Sequence, residues 1–119
     1  MSSNALIWFE IPVENMQRAQ IFYGTVLGVT FETFDDNYYF LKNLDGATNG
    51  ALYLRKSQIP TGEYPILCFN SDNCGDKLNA VLAAGGAQVK AKTKISDTMG
   101  YFCQVRDTEG NTIAFWSQN

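Results

Sequence analysis

Two rhythms of apolar residues follow one another along this chain, and they come in the same order twice. Residues 5–13 (ALIWFEIPV) are dense in β-branched and aromatic side chains and predict a strand, with Pro12 near its end. Met16, Ala19, Phe22, Tyr23, Val26 and Leu27 then recur at helical spacing on one apolar face, behind Asn15 or Glu14 as N-cap. Gly28 supplies a left-handed stop. Strands are predicted over 29–34, 38–42 and 51–56, with a tight turn at Asp35-Asp36-Asn37 and a looser one over 45–50. The second half opens on a strand over 65–70. A helix follows with Cys74, Leu78, Val81 and Leu82 on one face, and Gly85-Gly86 ends it. Strands over 87–92 and 101–106, a turn over 107–111 and a last strand over 112–117 complete the chain, with Gly110 or Asn111 left-handed in the turn.

Residues 15–28 and 73–86 thus start and stop alike, about half the chain apart, and the element order is βαβββ twice. The repeat is one of pattern, since few letters are shared. It divides the chain into a module over about 5–56, a linker over 57–63 carrying Pro60 and Gly62, and a second module over about 64–117. Strands this short cannot each bury a face alone, so the modules are expected to pack as one α+β domain with a mixed sheet. A site between two such halves would draw residues from both.

Composition narrows the functional classes. With 119 residues, 45% apolar and 18% charged, the chain reads as one globular domain. A net charge of −3 and nine scattered Lys and Arg exclude a phosphate-neutralising basic run, so no nucleic-acid partner is expected. No apolar run is long enough to span a bilayer and no leader pattern stands at residues 1–5, so a cytoplasmic protein is expected. Cys68, Cys74 and Cys103 are odd in number without CxxC spacing, which favours buried free thiols over a disulfide framework or a zinc ribbon. The chain has no histidine, which removes Ser-His-Asp and Cys-His catalysis together with the commonest metal ligand.

Three stretches carry a family likeness: FEIPVENMQRAQIFYGTVLGV, LNAVLAAGGAQV and GYFCQVRDTEGNTIAFWS. With the doubled βαβββ order they resemble the vicinal oxygen chelate superfamily of glyoxalase I, bleomycin-resistance proteins and extradiol dioxygenases. The likeness runs from Ile7 to Ser117, and the nearest resemblance is to small bacterial glyoxalase-related proteins sharing WFEIPV and DTEGN. It implies two modules forming a partly open, U-shaped mixed β-sheet barrel around a cavity. In metal-dependent members two ligands come from each module, usually His, Glu or Gln. The first strand of each module places one ligand seven residues before the helix cap, which falls here on Trp8 and Ile66. The remaining positions fall on Ala114 and, less directly aligned, Tyr53. These four cannot build a site of imidazole and carboxylate, so no metal and no other cofactor is expected. A slip of one or two residues would bring in Glu10 or Glu109, which still makes a poor site.

Strand alternation adds neighbours to those positions. Trp8, Glu10 and Pro12 share one face, as do Ile66, Cys68 and Asn70, and Ala114 with Trp116. Glu10 is the candidate catalytic residue: partial desolvation on an apolar face would favour its protonated form and suit acid/base work. The plainer reading is a structural carboxylate paired with Arg55 or Arg106 or bonded to Tyr53. Trp8 and Trp116 fit a platform for planar or cationic ligands, or equally a packed core. Within Tyr38-Tyr39-Phe40 alternation must turn at least one ring toward the cavity or a partner. Cys68 and Cys103 approach the cavity but lack an activating base. Related proteins in the nearest group are expected to carry a histidine where Trp116 stands. The acidic residues of Asp107-Thr108-Glu109-Gly110-Asn111 are expected to face solvent.

Two functional readings remain, beside the blander one of a dimeric domain whose cavity is filled by its own side chains. One is a metal-independent binder of a small amphipathic or cationic molecule, held by Trp8, Glu10, Tyr53, Ile66, Cys68, Asn70, Ala114 and Trp116. The other is a glyoxalase-like lyase or isomerase using Glu10. A homodimer is expected, because family members commonly complete their cavities by pairing or swapping modules.

Overall fold

The computed structural model describes residues 6, 8–57 and 64–119. The chain divides into two compact units, residues 1–57 and 58–119, and hydrogen bonding gives each its own open four-stranded sheet. The linker expected over 57–63 lies, apart from Ser57, outside the described residues, as do residues 5 and 7 of the first expected strand.

The first unit runs β1 (Phe9–Val13), α1 (Met16–Leu27), β2 (Thr30–Asp35), β3 (Tyr38–Lys42) and β4 (Thr48–Leu54). Its strand order is β1-β4-β3-β2, with β1 parallel to β4 and the other pairs antiparallel. Pro12 is tolerated because β1 is an edge strand. Asn15 caps α1, its Oδ1 accepting from the Arg18 amide at 2.9 Å, and Gly28 closes it at φ 70°. The helix buries Ala19, Phe22, Tyr23 and Val26, and the sheet of this unit buries Ile11, Val13, Leu41, Ala51 and Leu52.

The second unit repeats this topology with β5 (Leu67–Asn70), α2 (Cys74–Ala83), β6 (Ala87–Ser96), β7 (Gly100–Arg106) and β8 (Thr112–Ser117), in the order β5-β8-β7-β6. Asn73 caps α2 by accepting from the Gly75 amide at 2.9 Å. The Gly86 amide returns to the Val81 carbonyl at 2.9 Å around Gly85 at φ 95°, satisfying the helix end as the two glycines predict. Leu78, Val81, Cys103, Val105, Ile113 and Phe115 form the core. Among the described residues no helix is long and apolar enough to cross a membrane.

Two local expectations fail for physical reasons. The looser turn is completed by Gly46, at φ 86°, and β4 already begins at Thr48. Gly50 is therefore a strand residue, and it is glycine because the ring of its β1 partner Phe9 fills the space a side chain would take. The acidic turn is also not a solvated one: Asp107 and Glu109 are 4% and 3% exposed. Asp107 Oδ1 accepts from the amides of Glu109 and Asn111, both at 2.8 Å, and Oδ2 from Asn111 Nδ2 at 3.0 Å. The carboxylate thus replaces the solvent its turn would otherwise need.

Candidate functional site

Register assigns each strand residue to a face. In the first unit Glu10, Ala51, Phe40 and Glu32 lie in one cross-strand row, and Pro12, Tyr53 and Tyr38 in the next. Helix α1 packs against the opposite side, where the alternate residues Ile11, Leu52 and Leu41 are buried. The open face therefore carries the expected Trp8, Glu10 and Tyr53. Of the aromatic run, Tyr38 and Phe40 share this face and Tyr39 points away.

The rings form a connected cluster. Phe40 meets Trp8 edge-on at 6.1 Å between centroids, Phe34 at 6.0 Å and Tyr38 at 5.5 Å, and Phe34 also meets Tyr38 at 6.0 Å. Edge-to-face contacts of this kind contribute about 0.5–1.5 kcal/mol each beyond burial. The cluster nevertheless stays accessible, with Trp8 36% and Phe34 70% exposed. Phe34 keeps the parity of Glu32 and so shares its face, while the irregularity between Thr33 and Asp35 sets Asp35 opposite Tyr38.

Glu10 borders the rings and is itself exposed, so the desolvation expected for it is not found. Its Oε2 accepts from the Tyr38 hydroxyl at 2.7 Å. Arg55, one of the structural partners considered for it, pairs with Glu14 instead. Burial, and then the hydrogen bond to Glu10, push the Tyr38 phenol above its ordinary value, while the Trp8 indole pulls the other way. Tyr38 is therefore a proton-bearing donor to Glu10. At the far edge Lys42 and Glu32 form an exposed ion pair at 3.0 Å, which contributes little.

In the second unit Cys68, Ala114, Gln104 and Lys90 form one row, and Asn70, Trp116, Phe102 and Thr93 the next. The expected Cys68, Asn70, Ala114 and Trp116 thus share one face of the sheet, with Ala114 buried on it, and Ile66 is exposed just before β5. Trp116 Nε1 donates to the Met99 carbonyl at 2.7 Å, which fixes the indole. Cys103 is not on this face: it pairs with Phe115, is fully buried, and its Sγ contacts the Cys74 carbonyl at 3.4 Å. Burial and the Cys74 thiol push Cys103 up to about 11, and the same two causes raise Cys68. Neither thiol is activated. A cleft of about 400 Å³ lies elsewhere in this unit, lined by Lys92, Lys94, Tyr101 and Gln118 among others. Lys94 is neutralised there by Asp97, and the cleft brings together none of the expected site residues.

Comparison with known proteins agrees with this architecture. A family model described as "Bleomycin resistance protein-like N-terminal" matches residues 5–40. A glyoxalase/bleomycin resistance protein/dioxygenase family enzyme from Burkholderia phytofirmans superposes with a TM-score of 0.78 at 15% identity, covering 97% of this chain and 100% of its own. The chain has the vicinal oxygen chelate fold. A glyoxalase/bleomycin resistance protein from Albidiferax ferrireducens gives a TM-score of 0.70 at 19% identity, over 93% of this chain and 96% of that one. The fosfomycin resistance protein FosX of Listeria monocytogenes, a complex with Mn(II) and a dihydroxypropylphosphonic acid, gives 0.79 at 11% identity, over 99% and 93%. Among curated proteins none matches the sequence.

The four positions that the resemblance assigns to metal ligands can be tested by their donors. Trp8, Ile66 and Ala114 offer no ligating oxygen, sulfur or imidazole, and Tyr53 offers a phenol. Among the described residues no three His, Cys, Asp or Glu side chains gather in a group able to hold a metal ion. Trp8, Tyr53, Ile66 and Ala114 do not make a donor set of imidazole and carboxylate.

Proposed function

We propose that this chain is a small-molecule-binding protein of the glyoxalase/bleomycin-resistance type, which holds an amphipathic ligand in an aromatic site without a metal ion. The observation that carries the reading is the aromatic cluster of the first unit, where Trp8, Phe34 and Tyr38 meet Phe40 and Tyr38 is bonded to Glu10. Exposed rings in mutual edge contact present flat apolar area at small conformational cost, and the carboxylate orients a polar group. Ile66, Cys68, Asn70, Ala114 and Trp116 are proposed as the ligand residues of the second unit. The free thiols of Cys68, Cys74 and Cys103 support a reducing, cytoplasmic setting.

One observation favours the enzymatic alternative, the 2.7 Å contact in which Tyr38 would hold Glu10 as a base for a lyase or isomerase. Adding Zn²⁺, Ni²⁺ or Mn²⁺ separates the two. Stoichiometric metal uptake at micromolar concentration, with turnover of the methylglyoxal–glutathione adduct, would overturn the binding reading. A homodimer belongs to the same proposal, supported by exposed Phe34 and Trp8. Sedimentation as a monomer at micromolar concentration would refute it.

A further inference from the structure

We propose that the open face of the β5-β8-β7-β6 sheet binds the anionic end of a planar aromatic molecule, an aryl carboxylate being the class it fits. This rests on the small-molecule reading above and adds the ligand's charge. The chain carries twelve Asp and Glu against nine Lys and Arg, yet no strand of this sheet contains an acidic residue. The unit's described carboxylates sit in α2, its approach and the turns, whereas Lys90, Lys92, Lys94 and Arg106 all lie on strands. Lys92 is directed to Asn73 and the Tyr101 ring, and Lys94 to Asp97. Lys90 and Arg106 remain for the open face, and among the described residues no carboxylate pairs with either.

The register sets small residues between larger ones around them. Cys68 and Ala114 are small and lead to Gln104 and Lys90. Phe102 and Trp116 are cross-strand partners and wall one side, and Thr112 with Arg106 make the other. Strands lie about 4.8 Å apart and alternate residues about 7 Å apart, so Lys90, Gln104 and Arg106 can converge on one carboxylate. Lys90 Nζ already stands 6.0 Å from the Phe102 ring centre, which places the cation beside the platform. A flat body over Ala114, edged by Trp116 and Phe102, directs its carboxylate to the Lys90 and Arg106 end. Charge complementarity is the argument for this occupant.

Calorimetric titration of the whole chain with 1-naphthoate, 2-methylnaphthalene and inorganic phosphate tests the proposal. Naphthoate should bind at least tenfold more tightly than either the neutral or the body-less probe. The Trp116 indole N–H resonance should shift on binding, and the Lys90→Gln/Arg106→Gln variant should lose tenfold or more. If that variant is not folded by circular dichroism, Lys90→Gln alone and a rise in Kd with salt carry the same test. Equal binding of naphthoate and 2-methylnaphthalene, with no loss in the variant, overturns the anion site while leaving Trp8-dependent binding standing. Silence of every probe sinks both proposals. A variant that turns a dimer into a monomer without affecting any probe shows that a second copy covers this face, and also overturns the anion site.

Discussion

Gly100→Ala is the substitution whose cost is most directly readable from the structure. Gly100 opens β7 at φ 78°, a conformation that costs an L-residue about 1–2 kcal/mol. A methyl group there would also overlap the Ser117 carbonyl oxygen and crowd Gln118, which are backbone atoms and cannot rotate aside. Ser117 is held in register by Tyr101 and is fully buried, its hydroxyl accepting from the Cys74 amide at 2.9 Å. Overpacking against such a contact adds about 1–3 kcal/mol, so we expect a total near 3 kcal/mol. The preceding residue, Met99, supplies the carbonyl that fixes Trp116, so indole order should fall as well. Urea unfolding followed by Trp116 fluorescence in a Trp8→Phe background reads both. For a urea dependence of about 1.5 kcal/mol per molar, the midpoint should drop by roughly 2 M. A drop below roughly 0.3 M with unchanged Trp116 emission would show that the strand end relaxes freely and that the indole is not held from there.

Asp107→Ala should destabilise the second unit by about 2–4 kcal/mol, because it leaves two backbone amides of a buried turn without their acceptor; a thermal midpoint unchanged from the parent would contradict this. Alkylation by iodoacetamide at pH 8 should reach only the exposed Cys68, more slowly than free cysteine because its thiol is raised, and speed up as pH climbs; fast labelling of Cys103 would refute its placement. Since the folded Cys103 thiol titrates at about 11, above its ordinary value, the unfolded chain loses that proton first as pH rises. Stability should therefore fall between pH near 9 and near 11, and the fall should shrink in Cys103→Ala. Tyr38→Phe should change stability by less than about 1 kcal/mol, given its exposed hydrogen bond, but weaken any ligand that relies on an oriented Glu10.

The architecture was legible because local chemistry and burial agree. Asn15 with Gly28 and Asn73 with Gly85-Gly86 are helix stops that any tertiary context would keep, and the predicted strands 38–42 and 112–117 match β3 and β8. Longer strands were missed where the cause is tertiary. β6 runs on to Ser96 through Lys92, Thr93 and Lys94 because it is an edge strand whose polar side chains need no cover. Gly50 reads as a turn until the Phe9 ring is seen over it. Parity put Trp8 with Glu10 and Ala114 with Trp116 on shared faces, whereas the expectation that Cys103 approaches the cavity fails because its pairing with Phe115 turns it inward. Phe34 follows the alternation of Glu32 onto the Phe40 face but was not singled out, and Lys90 was missed because its meaning depends on which strand pairs with Gln104.

The central claim is binding without metal by the Trp8 face, and one titration tests it most directly. The chain, dialysed against EDTA, is titrated with anionic and cationic aromatic amphipaths while tryptophan emission is followed, in parallel with Trp8→Leu and Trp116→Leu. Saturable quenching that persists in EDTA and is lost on removing Trp8 is the predicted result. Quenching that requires added metal, or that both variants retain in full, would contradict the account.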